Sequence, residues 1–475
     1  MSKLPLVEGV KNYLEKDKIS FCMPGHKGGK GFLNTKEGQN FFKNIIEADL
    51  TEVDGLDNLH NPQGIIKEAL NKLSEFYNSK RSYFLINGST SGNLIMIFSS
   101  FNEGDKVIVE RNCHRSILNG IILRKLKPIY IKNKINNKYN APMSIDMEHF
   151  LCLIKENKDA KGIIITYPNY YGVCTNLKTI INEAEKYNMK VLVDSAHGAH
   201  FEACSELPEG ALSLGADMVV MSSHKTLASF TQTAYLHIGK KSNINIDKVD
   251  FYVSSFLSTS PSYMLMCSMD YGRFFLEQYG QKAYRELIER ANKYRNLLNR
   301  FTWLHVLDNN DFLNENIEID FTRFVINLKE GYSGHRLYEY LFENNIQAEM
   351  SDTSNVILIF SPFNNEEEFN GLYKVLENCN PELLKDNVVA VKNIHIPESK
   401  FLPWQVLDME KIKIDIEGSI GRICGNVIVP YPPGVPIINA GEVIDETCLN
   451  MIKYYLENNI SILGVENREV TILKN

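Results

Sequence analysis

The chain has 475 residues, with 44% hydrophobic and 23% charged side chains and a formal net charge of −7. Those proportions suit a soluble globular protein of two or three domains, and the negative charge argues against a general nucleic-acid binder, despite the short basic run HKGGKG at 26–31. Nine cysteines occur singly, with no CxxC pair, as free thiols of a reducing compartment do. The opening MSKLPLVEGVKNYLEKDK has no apolar run long enough for a signal peptide or a membrane span, so a cytoplasmic location is expected, with no membrane, nucleic-acid or metal partner.

Residues 1–60 read as an N-terminal arm: a short helical pattern, a Gly/Lys loop, then the polar DLTEVDGLDNLHNP at 49–62. From 61 to about 300 short β runs alternate with amphipathic helices. The strands are expected at 83–86, 106–110, 129–131, 162–166, 190–194 and 217–222, with helices over 66–79, 90–101, 115–125, 147–157 and 176–188. Such a βαβ succession builds a mostly parallel sheet covered on both faces. The run TAYLHI (233–238) follows too closely for a helical crossover and should pair antiparallel. A polar stretch at 255–270 is too rich in Ser, Thr and Pro for a core strand. A long charged helix over 270–300 leads to a smaller α/β domain at 301–390. A last domain at 391–475 contains VIVPYPPGVPIINAGE, whose prolines enforce an extended path before a helix near 445–457.

Chemistry-bearing residues gather at the expected strand ends. INGSTSGN (86–93) follows a strand and opens a helix; its free N–H groups and hydroxyls make an anion seat, and equally an ordinary N-cap turn. Asp194 ends a strand, where an acid holds a proton on a ring nitrogen or caps a helix. His114, just past another strand, can stack on a planar ligand or lie at the surface. In MSSHKTLASF (221–230) an apolar run breaks into Ser222, Ser223, His224 and Lys225. A poorly solvated lysine there favours its neutral, nucleophilic form, though a lysine also merely caps strand ends.

Taken in order, PGHKGG, NGSTSGN, RNCHRS, DSAHGAHF, SSHKTLASFTQTAYLH, STSPSY and PYPPGVP…GE resemble the Orn/Lys/Arg decarboxylase family, in the short form of Gram-positive bacteria. The resemblance covers roughly residues 20–442. It implies the pyridoxal-phosphate-dependent fold type I of aspartate aminotransferase: a mostly parallel seven-stranded sheet in a large domain, plus smaller C-terminal α/β domains. It implies that Lys225 carries pyridoxal 5'-phosphate and that Asp194 pairs with the pyridine nitrogen. His114 would stack on one ring face and Ala196 on the other. Ser89, Thr90, Ser91 and Ser222 would bind the phosphate, His197 would reach the phenolic oxygen, and His224 would contact the phosphate or substrate carboxylate region. Thr259 and Ser260 would reach a partner subunit's phosphate, making a homodimer with shared active sites.

The implied reaction releases CO2 from arginine, or else lysine or ornithine, to leave an amine for polyamine synthesis. The distal cation of such a substrate calls for an acid, with Glu442, Asp49, Glu52, Asp54 and Asp57 as candidates. Two departures stand out: Gly-Ser-Thr replaces the family's Gly-Thr-Ser, and INAGE replaces its Pro-Gly-Glu ending. The N-terminal regulatory domain of the large enterobacterial members is not expected. The alternative is another fold type I enzyme, an aminotransferase or lyase, for which Arg422 offers a structural or carboxylate-binding arginine.

Overall fold

The computed structural model describes residues 3–312, 315–431 and 434–474. Seven strands form its main sheet: β1 (Arg81–Leu85), β2 (Lys106–Glu110), β3 (Lys127–Ile131), β4 (Gly162–Thr166), β5 (Lys190–Asp194), β6 (Met218–Met221) and β7 (Ala234–Ile238). Their spatial order is β1-β7-β6-β5-β4-β2-β3, with β7 antiparallel to both neighbours and every other pairing parallel. The central strands are Val/Ile/Leu-rich and buried on both faces, as a helix-covered parallel sheet demands. Because β7 reverses the chain twice, β1 runs in the same direction as β2–β6. The carboxyl ends of six strands therefore open on one edge, where open α/β sheets place their ligands.

The helices Gly88–Ser100, Arg115–Leu123, Met147–Glu156 and Leu177–Glu185 lie between these strands close to the expected spans. Between β3 and the third of these helices runs an unforeseen hairpin, Asn133–Asn136 with Ala141–Ile145. The polar stretch at 255–270 contains no strand. Residues 257–262 are loop, and a helix starts at Tyr263, burying Met266 and Met269. It runs through a π-helical turn (Leu276–Gly280) into Gln281–Leu298. Ser/Thr content hid a buried stripe with helical spacing.

Beyond it, Leu304–Val306, Arg323–Leu328, Asn355–Ile359 and Met350–Ser351 form a four-stranded antiparallel sheet. Helices Gly334–Glu343 and Glu366–Glu377 accompany it. The arm is not separate from this unit: Ile19–Phe21 pairs in parallel with Ile346–Ala348. Residues 389–472 enclose a core of their own, including Ile416, Cys424, Ile438, Ile452 and Ile472, around the strands Lys411–Asp415 and Glu469–Leu473 and the helix Glu446–Glu457. Pro432 and Pro433 of the PYPPGVP motif lie outside the described residues. No described helix is long and apolar enough to cross a membrane.

Candidate active site

Four loops meet at the carboxyl edge of the sheet. After β1, Gly88 takes a left-handed conformation (φ 74°) that turns the chain into its helix, and no side chain caps that helix N-terminus. Its first-turn N–H groups, with their partial positive charge, are thus left for a ligand. Ser89 Oγ lies 2.5 Å from Ser222 Oγ, which joins the turn after β1 to the end of β6. Thr90 is exposed, whereas the Ser91 hydroxyl is buried and donates to the Gly88 carbonyl at 2.8 Å.

Asp194 ends β5 at 3% exposure. Its Oδ2 accepts from Asn93 Nδ2 at 2.8 Å and its Oδ1 from the Ala196 N–H at 3.1 Å, so the carboxylate is held from two sides. Asn93 also donates to Ser116 Oγ at 2.8 Å, and Ser116 Oγ lies 2.7 Å from His114 Nδ1. The histidine proposed for stacking and the acid proposed for the ring nitrogen therefore belong to one hydrogen-bonded chain. His114 is the N-cap of the helix Arg115–Leu123, exposed at the loop surface. Asn93 and Ser116 were not foreseen; Asn93 sits in the quoted motif, but nothing in its neighbours marks it as the support of an acid 101 residues away.

Lys225 sits in the short helix Ser223–Thr226 with Nζ 3.1 Å from His197 Nε2. Burial lowers its pKa, nearby Asp194 opposes this, and Arg323 adds to the lowering. His224 Nδ1 lies 2.9 Å from the Thr233 carbonyl, so its ring braces the loop. Against this loop lies the PGHKGG turn of the arm: the Gly25 N–H donates to the His224 carbonyl at 2.8 Å. Lys27 is buried and donates to the carbonyls of Cys22 and Ile359, tying the arm to the small unit. Burial holds its ammonium down to about 8.

The small unit supplies two residues the sequence reading missed. Arg323, fully buried at the start of its strand, donates from Nη2 to His197 Nδ1 at 2.6 Å, while its Nε and Nη1 find no acceptor. Glu349 accepts from the Met23 N–H at 2.9 Å and from the Tyr170 hydroxyl at 2.5 Å. TRFVINL carries no signal beyond a strand, because the significance of Arg323 comes from a partner 126 residues away.

Several expected substrate acids are engaged elsewhere. Glu442 is buried and takes Arg111 in a two-point pair at 2.5 and 2.8 Å. It also accepts the Asn439 N–H at 2.7 Å. That pair joins the end of β2 to the C-terminal unit and engages both carboxylate oxygens of Glu442, the acid expected to meet a substrate cation. Asp57 accepts backbone N–H groups of Asn58, Gln63, Gly64 and Ile66 at 2.8–3.0 Å, in the turn leading into the helix Ile65–Phe76. Burial pushes its carboxyl up, but these donors outweigh it and the pKa falls. Asp49 and Asp54 are exposed, and Glu52 accepts from the Thr51 hydroxyl. Arg422 lies in the C-terminal unit, its backbone bonded to Ser419 and Ile444. Thr259 and Ser260 are exposed in the loop whose Ser258 carbonyl meets His60 Nε2 at 2.8 Å.

The donor set fits pyridoxal phosphate. An uncapped helix N-terminus with two joined hydroxyls suits a phosphate, a carboxylate held at a strand end suits a protonated ring nitrogen, and a desolvated amine suits an aldehyde. The comparisons agree. The model of the Orn/Lys/Arg decarboxylase major domain matches residues 4–324, and that of the family's C-terminal domain matches 404–461. The arginine decarboxylase of Bacillus subtilis is 30% identical over 99% of this chain and 97% of its own length. The inducible lysine decarboxylase of Escherichia coli is 23% identical over 95% of this chain and 76% of its own. The crystal structure of the lysine decarboxylase of Francisella novicida superimposes with a TM-score of 0.78 at 21% identity, covering 96% of this chain and 79% of that one. Matched over more than half its length by the family's major-domain model, the chain belongs to the Orn/Lys/Arg decarboxylases, pyridoxal-phosphate enzymes that act on basic amino acids.

Proposed function

We propose that the substrate is arginine, converted to agmatine and CO2. The observation that carries this is the full-length likeness to arginine decarboxylases of Bacillus subtilis and Bacillus anthracis at 30% and 31% identity, against 23% for the lysine decarboxylase of Escherichia coli. Lys225 is the residue that holds the cofactor through its amine and exchanges it for the substrate's. The N–H groups of the helix opening at Gly88, with the hydroxyls of Ser89 and Ser222, take the phosphate. Asp194, fixed by Asn93 and Ala196, keeps a proton on the ring nitrogen, while His114 and Ala196 flank the ring. Bound pyridoxal phosphate supplies the electron sink for the pair left when the Cα–carboxylate bond breaks. The protein's contribution is orientation, burial and the delivery of a proton to Cα.

The test is incubation of the purified protein with arginine, lysine and ornithine in turn, with identification of the amine and of released CO2. Agmatine from arginine supports the reading; cadaverine or putrescine as the main product reassigns the substrate, and a keto acid without CO2 overturns decarboxylation. We further propose a homodimer with shared sites, because Thr259 and Ser260 are exposed hydroxyls beside the turn after β1. Mixing Lys225→Ala subunits with Thr259→Ala/Ser260→Ala subunits should restore activity in the hybrid. Hybrids that form and stay inactive would exclude the shared site.

A further inference from the structure

We propose that Arg323 is a positioning residue that locks His197 in the tautomer with its proton on Nε2, and so presents an N–H to Lys225 and keeps that lysine in its neutral, attacking form. This rests on Lys225 being the cofactor-binding amine. A guanidinium has five N–H donors and no acceptor, so in the 2.6 Å contact Arg323 Nη2 can only donate. His197 Nδ1 must then carry its lone pair, and in the neutral ring the remaining proton sits on Nε2. That atom lies 3.1 Å from Lys225 Nζ. An ammonium offers donors only and would meet the Nε2–H head-on, whereas a neutral amine has a lone pair to accept it. The three residues thus form a directed relay, Arg323 to His197 to Lys225, running from the small unit into the large one.

Burial supports the relay. Arg323 is 0% exposed and His197 5%, so neither exchanges its partner for water. Burial holds the imidazole well below its usual range, and the Arg323 guanidinium beside it lowers it further, so a second proton on the ring is disfavoured even where Lys225 is neutral. Facing Lys225 are Asp194, His114, His197 and His224 from the large unit, and Arg323 and Glu349 from the small one. Facing Arg323 are Asp320, Glu349, Tyr170, Tyr284 and Lys27. Of these, Asp194 and Glu349 favour the ammonium form of Lys225, and the relay opposes them. Tyr170 packs edge-on to His197, with ring centroids 4.9 Å apart, and hinders a ring flip that would exchange the two nitrogens.

The experiment reads Lys225 directly, without turnover. Cofactor-free protein is treated with trace acetic anhydride between about pH 6 and 11, and acetylation of the Lys225 peptide is followed by mass spectrometry. In Arg323→Gln the His197 ring is free to turn its lone pair towards Lys225, so the labelling midpoint should rise by about one unit or more. Arg323→Lys, which keeps a cationic donor, should restore much of the difference. His197→Gln should raise the midpoint as well, and the double variant should rise no further than the larger single change, since both act through one path. The pH at which the cofactor's absorbance changes in loaded protein should move in the same direction. An unmoved or lowered midpoint in Arg323→Gln, or single shifts that add, would overturn the relay. Should Arg323→Gln not fold, His197→Gln and Arg323→Lys decide alone: no rise in His197→Gln refutes it. If borohydride reduction instead places the cofactor on another lysine, it is the assignment of Lys225 that fails, while the labelling result still reports on the relay.

Discussion

The packing of the arm against the cofactor loop makes Gly25→Ala an informative perturbation. A Cβ at Gly25 would lie 2.5 Å from the Thr226 carbonyl carbon and 2.6 and 2.7 Å from the Leu227 oxygen and nitrogen. Carbon atoms rest about 3.5 Å apart, so the two backbones must separate by about 1 Å. Neither side yields freely. The arm is tied by Lys27 to Cys22 and Ile359 and by Met23 to Glu349; the loop is tied by His224 to Thr233 and by Ser223 to Thr233. A shift of that size next to Lys225 takes its 3.1 Å approach to His197 out of hydrogen-bonding range. The expected cost is about 1–3 kcal/mol of stability from overpacking, and about a hundredfold in kcat/KM from misplacement. Amine formation at saturating cofactor and urea unfolding would measure the two separately. Gly28→Ala is the control: at φ 63° a side chain is strained, but nothing stands within 4 Å of its Cβ. That variant should lose about 1–2 kcal/mol while keeping most activity. Gly25→Ala working within a few-fold of the parent, or Gly28→Ala losing as much activity, would refute the close-contact account.

Asp194→Ala should lower kcat by about two orders of magnitude or more while cofactor still binds, a loss of about 3 kcal/mol in CO2 release assays; a drop of only a few-fold would remove the ring-nitrogen role. Borohydride reduction followed by peptide mapping should mark Lys225, and a label elsewhere sinks that assignment. Glu442→Gln leaves Arg111 buried without its countercharge, so urea unfolding should show a loss of about 3–5 kcal/mol with the KM for substrate nearly unchanged; a large rise in KM at unaltered stability would return Glu442 to substrate binding. His237 is buried, and burial holds its pKa down to about 3 against about 6.5 unfolded. The unfolded chain therefore binds the extra proton between those values, so this residue's contribution is complete above pH 6.5 and is lost as pH falls towards 3. At pH 5 the loss is about 2 kcal/mol, and His237→Gln should flatten the acid limb of the stability curve by about one proton. An unchanged slope would mean that the ring is solvated when charged.

Much of the large unit was legible because its signals are local. KVIVE, GIIIT and KVLVD each state a buried strand in five residues, and β2, β4 and β5 have those bounds. Asp194 closes β5, and Ser89 and Lys225 fall just past the ends of β1 and β6, since a strand's carboxyl end is set by where its apolar run stops. Two hydroxyls, Ser89 and Ser222, were named as phosphate ligands from separate motifs, and they stand together in the fold. What the amino-acid order alone determined was therefore the strand succession and the residue types at its edge.

Only the tertiary structure decided the partners. Arg323 lies in an unremarkable strand and gains its meaning by reaching His197; Asn93 gains its own by reaching Asp194. Glu442, set in a family-like ending, is claimed by Arg111, 331 residues earlier. Side-chain pairing depends on which strand ends fold against each other, and no local periodicity encodes it. The same holds for Gly25, whose need for a missing Cβ arises only because the arm passes within touching distance of the loop that carries Lys225.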